Sequence, residues 1–166
     1  MLTLNVGTRW ALELRPDAAS SNRAVAAQTA SDMWPLDARL AQLSSLYWSY
    51  ASLQDATGTL GGRSLASIER ALRLDRHEPR SALEHARILW FTGGSGASVD
   101  SAFAEAFSHY PAYPLARAEY ALYLAQSGRA DESLTNLEIA RLASDSDQER
   151  LAAIAAAEKA LAADSE

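Results

Sequence analysis

Three histidines and one glycine-flanked serine are the residues of this 166-residue chain whose types bear on catalysis, and there is no cysteine. A helical metal site needs ligands one turn apart, and His77, His85 and His109 offer no pair at that spacing. Glu84 and His85 are adjacent, so a helix points them to different sides. His77-Glu78 falls in a turn. Ser95 sits in Thr92-Gly-Gly-Ser-Gly, which has the letters of a nucleophile elbow but no strand before it. Gly93, Gly94 and Gly96 are not a phosphate loop, because no Gly-Lys-Ser/Thr follows. The absence of cysteine removes disulfides, thiol catalysis and cysteine-based zinc sites together. Nothing assembles nucleophile, base and orienting group, so the expectation is no enzyme, no cofactor and no metal.

Composition points to helices that pack closely. Hydrophobic residues make up 48% of the chain, enough for a continuous core. Alanine supplies 35 of the 166 residues, and it is both the best helix former and small enough to let backbones approach. The net charge of −6 is unevenly placed. Residues 1–130 carry 12 acidic and 12 basic residues, whereas residues 131–166 carry 9 acidic and 3 basic. No basic patch with interleaved aromatics occurs, which argues against nucleic acid. No run reaches the ~20 apolar residues that span a bilayer, so direct membrane insertion is not expected. Met1 to Ala30 lacks a basic segment followed by an apolar core, the pattern of a signal peptide. These absences do not identify the compartment; the default expectation is cytoplasmic, or periplasmic or extracytoplasmic if the chain is a piece of an envelope protein.

Prolines and glycines divide the chain into helical segments. Residues 1–19 alternate at Leu2, Leu4 and Val6 and again at Trp10, Leu12 and Leu14, which reads as an N-terminal arm or a partial helix. Residues 20–33 are expected to be helical and to stop before Pro35. A second helix is expected from Asp37 to about Ala56, and Thr57–Gly62 is expected to be a loop. Ser64 is expected to cap a helix running to Leu74. Pro79 and Pro114 each suit a first helical turn, with helices ending near Phe91 and Ser127-Gly128. Between them a helix is expected from Ser98 or Val99 to His109, and Tyr110-Pro-Ala-Tyr113-Pro reads as a rigid turn. Ala130–Ala143 and residues 147–163 complete the set, the last with Leu151, Ile154, Ala155 and Leu161 on one stripe. Its polar face would hold Gln148, Glu149, Arg150, Glu158 and Lys159.

One spacing recurs four times. Ala30, Ala71, Ala106 and Ala140 each follow a residue three back and another seven back. The sets are Arg23/Ala27/Ala30, Ser64/Ile68/Ala71, Val99/Phe103/Ala106 and Ser133/Leu137/Ala140. The later alanines are 35 and 34 residues apart, and the first gap of 41 is 34 plus an insertion of 7. A period near 34 is the mark of a helix–turn–helix repeat. The expected fold is all-α: antiparallel helix-pair repeats stacked as a short right-handed superhelical solenoid of about eight helices. Residues 20–145 would form the repeats, and residues 146–166 a C-terminal capping helix and tail.

Residues 114–145 resemble a tetratricopeptide repeat. Ala121 and Leu124 fill the small and large positions of helix A, Gly128 the turn, and Ser133, Leu137 and Ala140 the helix B positions. The preceding unit matches through Ala86, Leu89, Gly93, Val99, Phe103, Ala106 and Pro111. The unit before it matches in helix B, and residues 20–35 look like an orphan helix B. No tryptophan opens helix A, and two turns are lengthened. The resemblance implies a peptide groove lined by helix A. Mapped onto this chain, that face holds Arg39, Gln42 and Tyr50, then Arg80, Glu84, Arg87 and Trp90, then Arg117 beside Ala118 and Leu122. Arginines there would clamp a carboxylate bidentately, and Trp90 would supply an apolar floor. The plainer reading of the same residues is solvated arginines around a core tryptophan. The aromatic cluster Trp34, Tyr47, Trp48 and Tyr50 is either a docking patch or core beneath the first unit.

The function these features imply is a non-catalytic protein–protein interaction module holding a peptide segment or helix in its groove. Two alternatives stay open. One is an appendage of a larger bacterial membrane or envelope protein, since tetratricopeptide-like tails follow the membrane portions of some polysaccharide ligases and polymerases. The other is a self-assembling scaffold, that is, a homo-oligomer.

Overall fold

Prolines open and glycines close the same helix at two places 35 residues apart. The computed structural model describes residues 20–52, 59–143 and 147–163. Among them run eight α-helices and no strand: α1 (Ser20–Met33), α2 (Ala38–Ser52), α3 (Thr59–Leu74), α4 (Pro79–Phe91), α5 (Gly96–His109), α6 (Pro114–Gln126), α7 (Ala130–Arg141) and α8 (Gln148–Ala163). Residues 1–19, with the alternating arm expected there, lie outside the described part. No described helix is long and apolar enough to cross a membrane.

The prolines stand where a missing N–H costs nothing. Pro79 and Pro114 occupy the first turns of α4 and α6. Both helices then end in the same Schellman turn. Gly93, at φ 78°, donates to Trp90 O, and Gly94 N–H reaches back to Leu89 O at 2.7 Å. Gly128, at φ 72°, donates to Ala125 O, and Arg129 N–H reaches Leu124 O at 2.9 Å. Only glycine takes this left-handed conformation without Cβ strain. Gly128→Ala is therefore expected to lower stability by about 1 kcal/mol, read as a drop in the urea midpoint with helicity unchanged. Nothing lies within 4 Å of a Cβ placed on Gly128, so the loss would come from the backbone rather than from a clash.

The chain divides into two compact units, Met1–Val99 and Asp100–Glu166. In the first, α2 and α3 pack antiparallel across a serine seam. Ser45 Oγ and Ser64 Oγ each hydrogen-bond the other residue's carbonyl oxygen at 2.9 Å. Gln28 on α1 closes the seam: its Oε1 accepts from Ser44 Oγ at 3.0 Å and from Trp48 Nε1 and Ser67 Oγ at 3.3 Å. Short side chains bring the helix axes together, and each buried hydroxyl finds a partner within the seam. Arg70 ties α3 to the end of α1, donating to Ser31 O at 3.1 Å and Pro35 O at 2.9 Å. Ala41, Ile68, Ala71 and Ile88 form the core that joins α2, α3 and α4.

In the second unit α6 pairs with α7 and α8 packs against α6. Ser133 Oγ donates to Ala121 O at 2.8 Å, and Arg117 Nη1 to Asn136 Oδ1 at 2.8 Å. The higher number on one helix meets the lower on the other, so the pair is antiparallel. Ser133 and Ser64 hold the same place in the alanine spacing and make the same bond, to Ala121 and Ser45 respectively. The two bonds span 12 and 19 residues. The extra seven are the insertion seen in the spacing.

Several expectations need correction. Thr57–Gly62 is not wholly a loop, because α3 already begins at Thr59 and carries Gly61 and Gly62 inside it. Ser64 is therefore no N-cap but a buried mid-helix residue. A Cβ on Gly61 would lie 2.8 Å from Thr92 Cγ2, so close approach of α3 to the end of α4 outweighs glycine's poor helix propensity. The helix after the second glycine loop starts earlier than expected, at Gly96, because Ser95 caps it, accepting from Ser98 N–H. In α8 the buried stripe is Arg150, Ala153, Ile154 and Ala157. Leu151 and Ala155 are exposed, and Arg150 lies inside rather than on the polar face.

Candidate functional site

Helical spacing places the candidate residues of the first unit on two stripes. On α2, Arg39 and Tyr50 are exposed and Gln42 is half-buried. Their steps of three and eight keep them on one side of the helix. On α4, Arg80, Glu84 and Arg87 follow one another at steps of four and three. Phe91, a further four on, extends the stripe and is 70% exposed. Trp90 stacks on Phe91 with ring centroids 4.9 Å apart. The helices α2 and α4 touch, so both stripes belong to one packed unit.

The α4 stripe carries its own carboxylate. Glu84 is buried, and its Oε1 accepts from Arg80 Nε at 3.2 Å and from Arg87 Nη1 at 2.5 Å. The triad holds one net positive charge with two guanidinium groups fixed by one acid. A guanidinium held this way loses less rotamer freedom on meeting a second carboxylate. Glu84 is also why truncating either arginine is a poor probe: it would strip a buried charge of a partner.

Arg117 belongs to the second unit and is occupied there. Its Nε and Nη2 both donate to Pro111 O, at 2.9 and 2.7 Å, its Nη1 bonds Asn136, and its plane lies 3.8 Å from the Phe107 ring centre. Burial pulls its pKa below the ordinary guanidinium value, with Tyr120 acting in the opposite direction. It remains a cation at neutral pH. It clasps the Tyr110–Tyr113 turn to α6 and α7, the rigid-turn role expected of that proline-rich segment.

The aromatic cluster of the first unit separates by depth. Trp48 is core, packed with Ala24 and Ala51 and covered by Tyr47 and Leu60. Arg63 stacks on its ring at 4.9 Å. Tyr50 points outward, 53% exposed.

Sequence reasoning missed a charged network in the second unit. Arg129 Nη1 bonds both oxygens of Asp100 at 2.9 Å, while its Nε and Nη2 grip Glu132 at 2.8 and 2.7 Å. Tyr120 hydroxyl donates to Asp100 Oδ1 at 3.0 Å. Burial, and then the Asp100 hydrogen bond, push the Tyr120 phenol above its ordinary pKa. The hydrogen bonds to Arg129 hold the Glu132 carboxyl below the usual carboxylate range. Asp100 and Arg129 are 29 residues apart, and no local spacing signals the pair.

Among the described residues no group of three metal-ligating side chains comes together. Ser95 spends its hydroxyl on the α5 cap and on Ser98. The chain matches no family model, and no curated protein matches it.

Proposed function

We propose that this protein is a non-catalytic, tetratricopeptide-like interaction module that binds a peptide segment of another protein along α2 and α4. The observation that carries the reading is the Arg80–Glu84–Arg87 triad with exposed Phe91 one turn further along the same α4 stripe, together with exposed Arg39 and Tyr50 on α2, a helix that touches α4. Fixed guanidinium groups next to apolar rings suit a segment that presents a carboxylate and an apolar side chain. The repeated Schellman glycines and the matching Ser64 and Ser133 bonds support the repeat reading behind it.

Fluorescence anisotropy against a peptide array that varies acidic residues and free C-terminal carboxylates tests the proposal. Arg39→Glu combined with Tyr50→Ala, both at exposed positions, is expected to weaken the best binder about tenfold or more. The circular-dichroism melt should not move. A binder indifferent to both changes places the site elsewhere, and an array with no binder removes the peptide reading.

A second reading rests on α1. Val25 and Met33, eight residues apart on α1, are exposed, as is Leu36 in the turn after it. This supports a neighbour covering α1, either a larger polypeptide to which this chain is an appendage or another copy. Light scattering across concentration separates the two: mass that rises with concentration favours the copy.

A further inference from the structure

The acidic excess of residues 131–166 becomes a surface property only through the fold. Of the three cations in that stretch, Arg150 is buried, donating to Ala140 O at 2.7 Å and Ala143 O at 3.0 Å. Arg141 pairs with Glu158. Lys159 is the one further cation exposed there. On α7 and its C-cap residue Leu142, the residues at steps of three and four from Asp131 (Leu134, Glu138 and Leu142) are all exposed, Leu134 by 50% and Leu142 by 83%. On α8 Leu151 is exposed and lies on the same stripe as Glu158. The Arg141–Glu158 pair bridges the two helices at the flank of the α7 stripe, and the α7 stripe itself alternates carboxylate and leucine.

We propose that this α7 face docks a basic amphipathic segment of a partner protein, one carrying aliphatic residues at three- and four-residue spacing and Arg or Lys between them. Charge complementarity selects the occupant. Leucines alone would accept any apolar helix, but Asp131 and Glu138 beside Leu134 and Leu142 favour cations flanking the apolar contact. The same carboxylates repel nucleic acid and anionic lipid surfaces. This face lies wholly within the Asp100–Glu166 unit, whereas the α2/α4 stripes lie in Met1–Val99, so the two proposals fail independently.

The test uses the full chain and a fluorescein-labelled helical peptide of leucine and arginine at that spacing, with a scrambled peptide of equal composition. Anisotropy is expected to give a dissociation constant in the micromolar range, about tenfold tighter for the ordered peptide than for the scrambled one. Leu134→Ser with Leu142→Ser should weaken the ordered peptide about tenfold, and Asp131→Lys with Glu138→Lys should do the same. The charge variant should also flatten the salt dependence. Arg39→Glu with Tyr50→Ala should change nothing. All four substituted side chains of this face are exposed, so an unchanged melt is expected to accompany the loss. Equal binding of ordered and scrambled peptides would overturn the proposal by reducing the attraction to net charge. So would binding that survives the leucine variant, or no binding at all. Concentration-dependent self-association that the leucine variant abolishes would instead assign the face to a second copy.

Discussion

Phe103→Ala should destabilise the Asp100–Glu166 unit by about 3–5 kcal/mol, the range for emptying a closed aromatic site. Phe103 is the largest side chain among those fully buried. Its ring lies 4.8 Å from that of Tyr120 and 6.2 Å from that of Tyr123, with Phe107 at 6.3 Å. Removing it takes away both the transferred area and the stacking of three neighbours. Tyr120 is held by Asp100 and Phe107 by Arg117, so the site cannot collapse to fill the cavity without breaking polar contacts. Every tryptophan of the chain precedes residue 100. Urea unfolding followed both by circular dichroism and by tryptophan emission therefore assigns the loss. The ellipticity, which reports all the described helices, should begin to fall at lower urea, and tryptophan emission shows how far the loss extends before residue 100. Phe103→Leu should recover more than half of the loss, and a change below about 1 kcal/mol for the alanine variant would remove Phe103 from the centre of the core.

Arg150→Met should cost about 2–4 kcal/mol, because methionine keeps the apolar stem but donates nothing. The Arg150 guanidinium satisfies the carbonyls of Ala140 and Ala143 at the end of α7, where a helix leaves its last acceptors unpaired. Ala140 is fully buried and Arg150 is 3% exposed, so water does not stand in for the guanidinium at the Ala140 carbonyl. A cation at a helix C-terminus also meets the negative end of the helix dipole. Arg150→Lys should recover part of the loss, since an ammonium carries the charge without the planar fork. Hydrogen exchange at the last turn of α7 is the discriminating readout. It should accelerate in the methionine variant before global unfolding, and exchange unchanged from that of the parent chain would show that α7 ends well without Arg150.

Both residues illustrate what was legible beforehand. Phe103 was visible as the middle member of a recurring triplet, since its neighbours at three and four residues lie on the same helix. Arg150 reads from the sequence as part of a polar face because arginine usually stands there. Nothing local indicates that α7 ends seven to ten residues earlier at carbonyls needing a donor. The candidate arginines divide in the same way. Their helical stripes followed from spacing, but the pairing of Arg80 and Arg87 through Glu84, and the clasp of Arg117 on Pro111 and Asn136, depend on rotamers and on other helices.

The sequence by itself determined the all-helical class, the approximate place of the described helices, and the burial of the recurring small and apolar positions such as Ala27, Ala30, Ile68, Ala71, Phe103, Ala106, Leu137 and Ala140. Proline removes a donor, glycine allows positive φ, and small residues at fixed steps line a seam, and all of these act within one or two turns of chain. The tertiary structure decided the rest. It drew Thr59–Arg63 into α3 despite two glycines, because Gly61 meets Thr92 across a helix contact. It turned Ser64 from an expected cap into a buried partner of Ser45. It joined Asp100 to Arg129 across 29 residues and sank Arg150 beneath an acidic face. These outcomes depend on which polar groups two packed helices leave facing each other, and that is settled only when the helices meet.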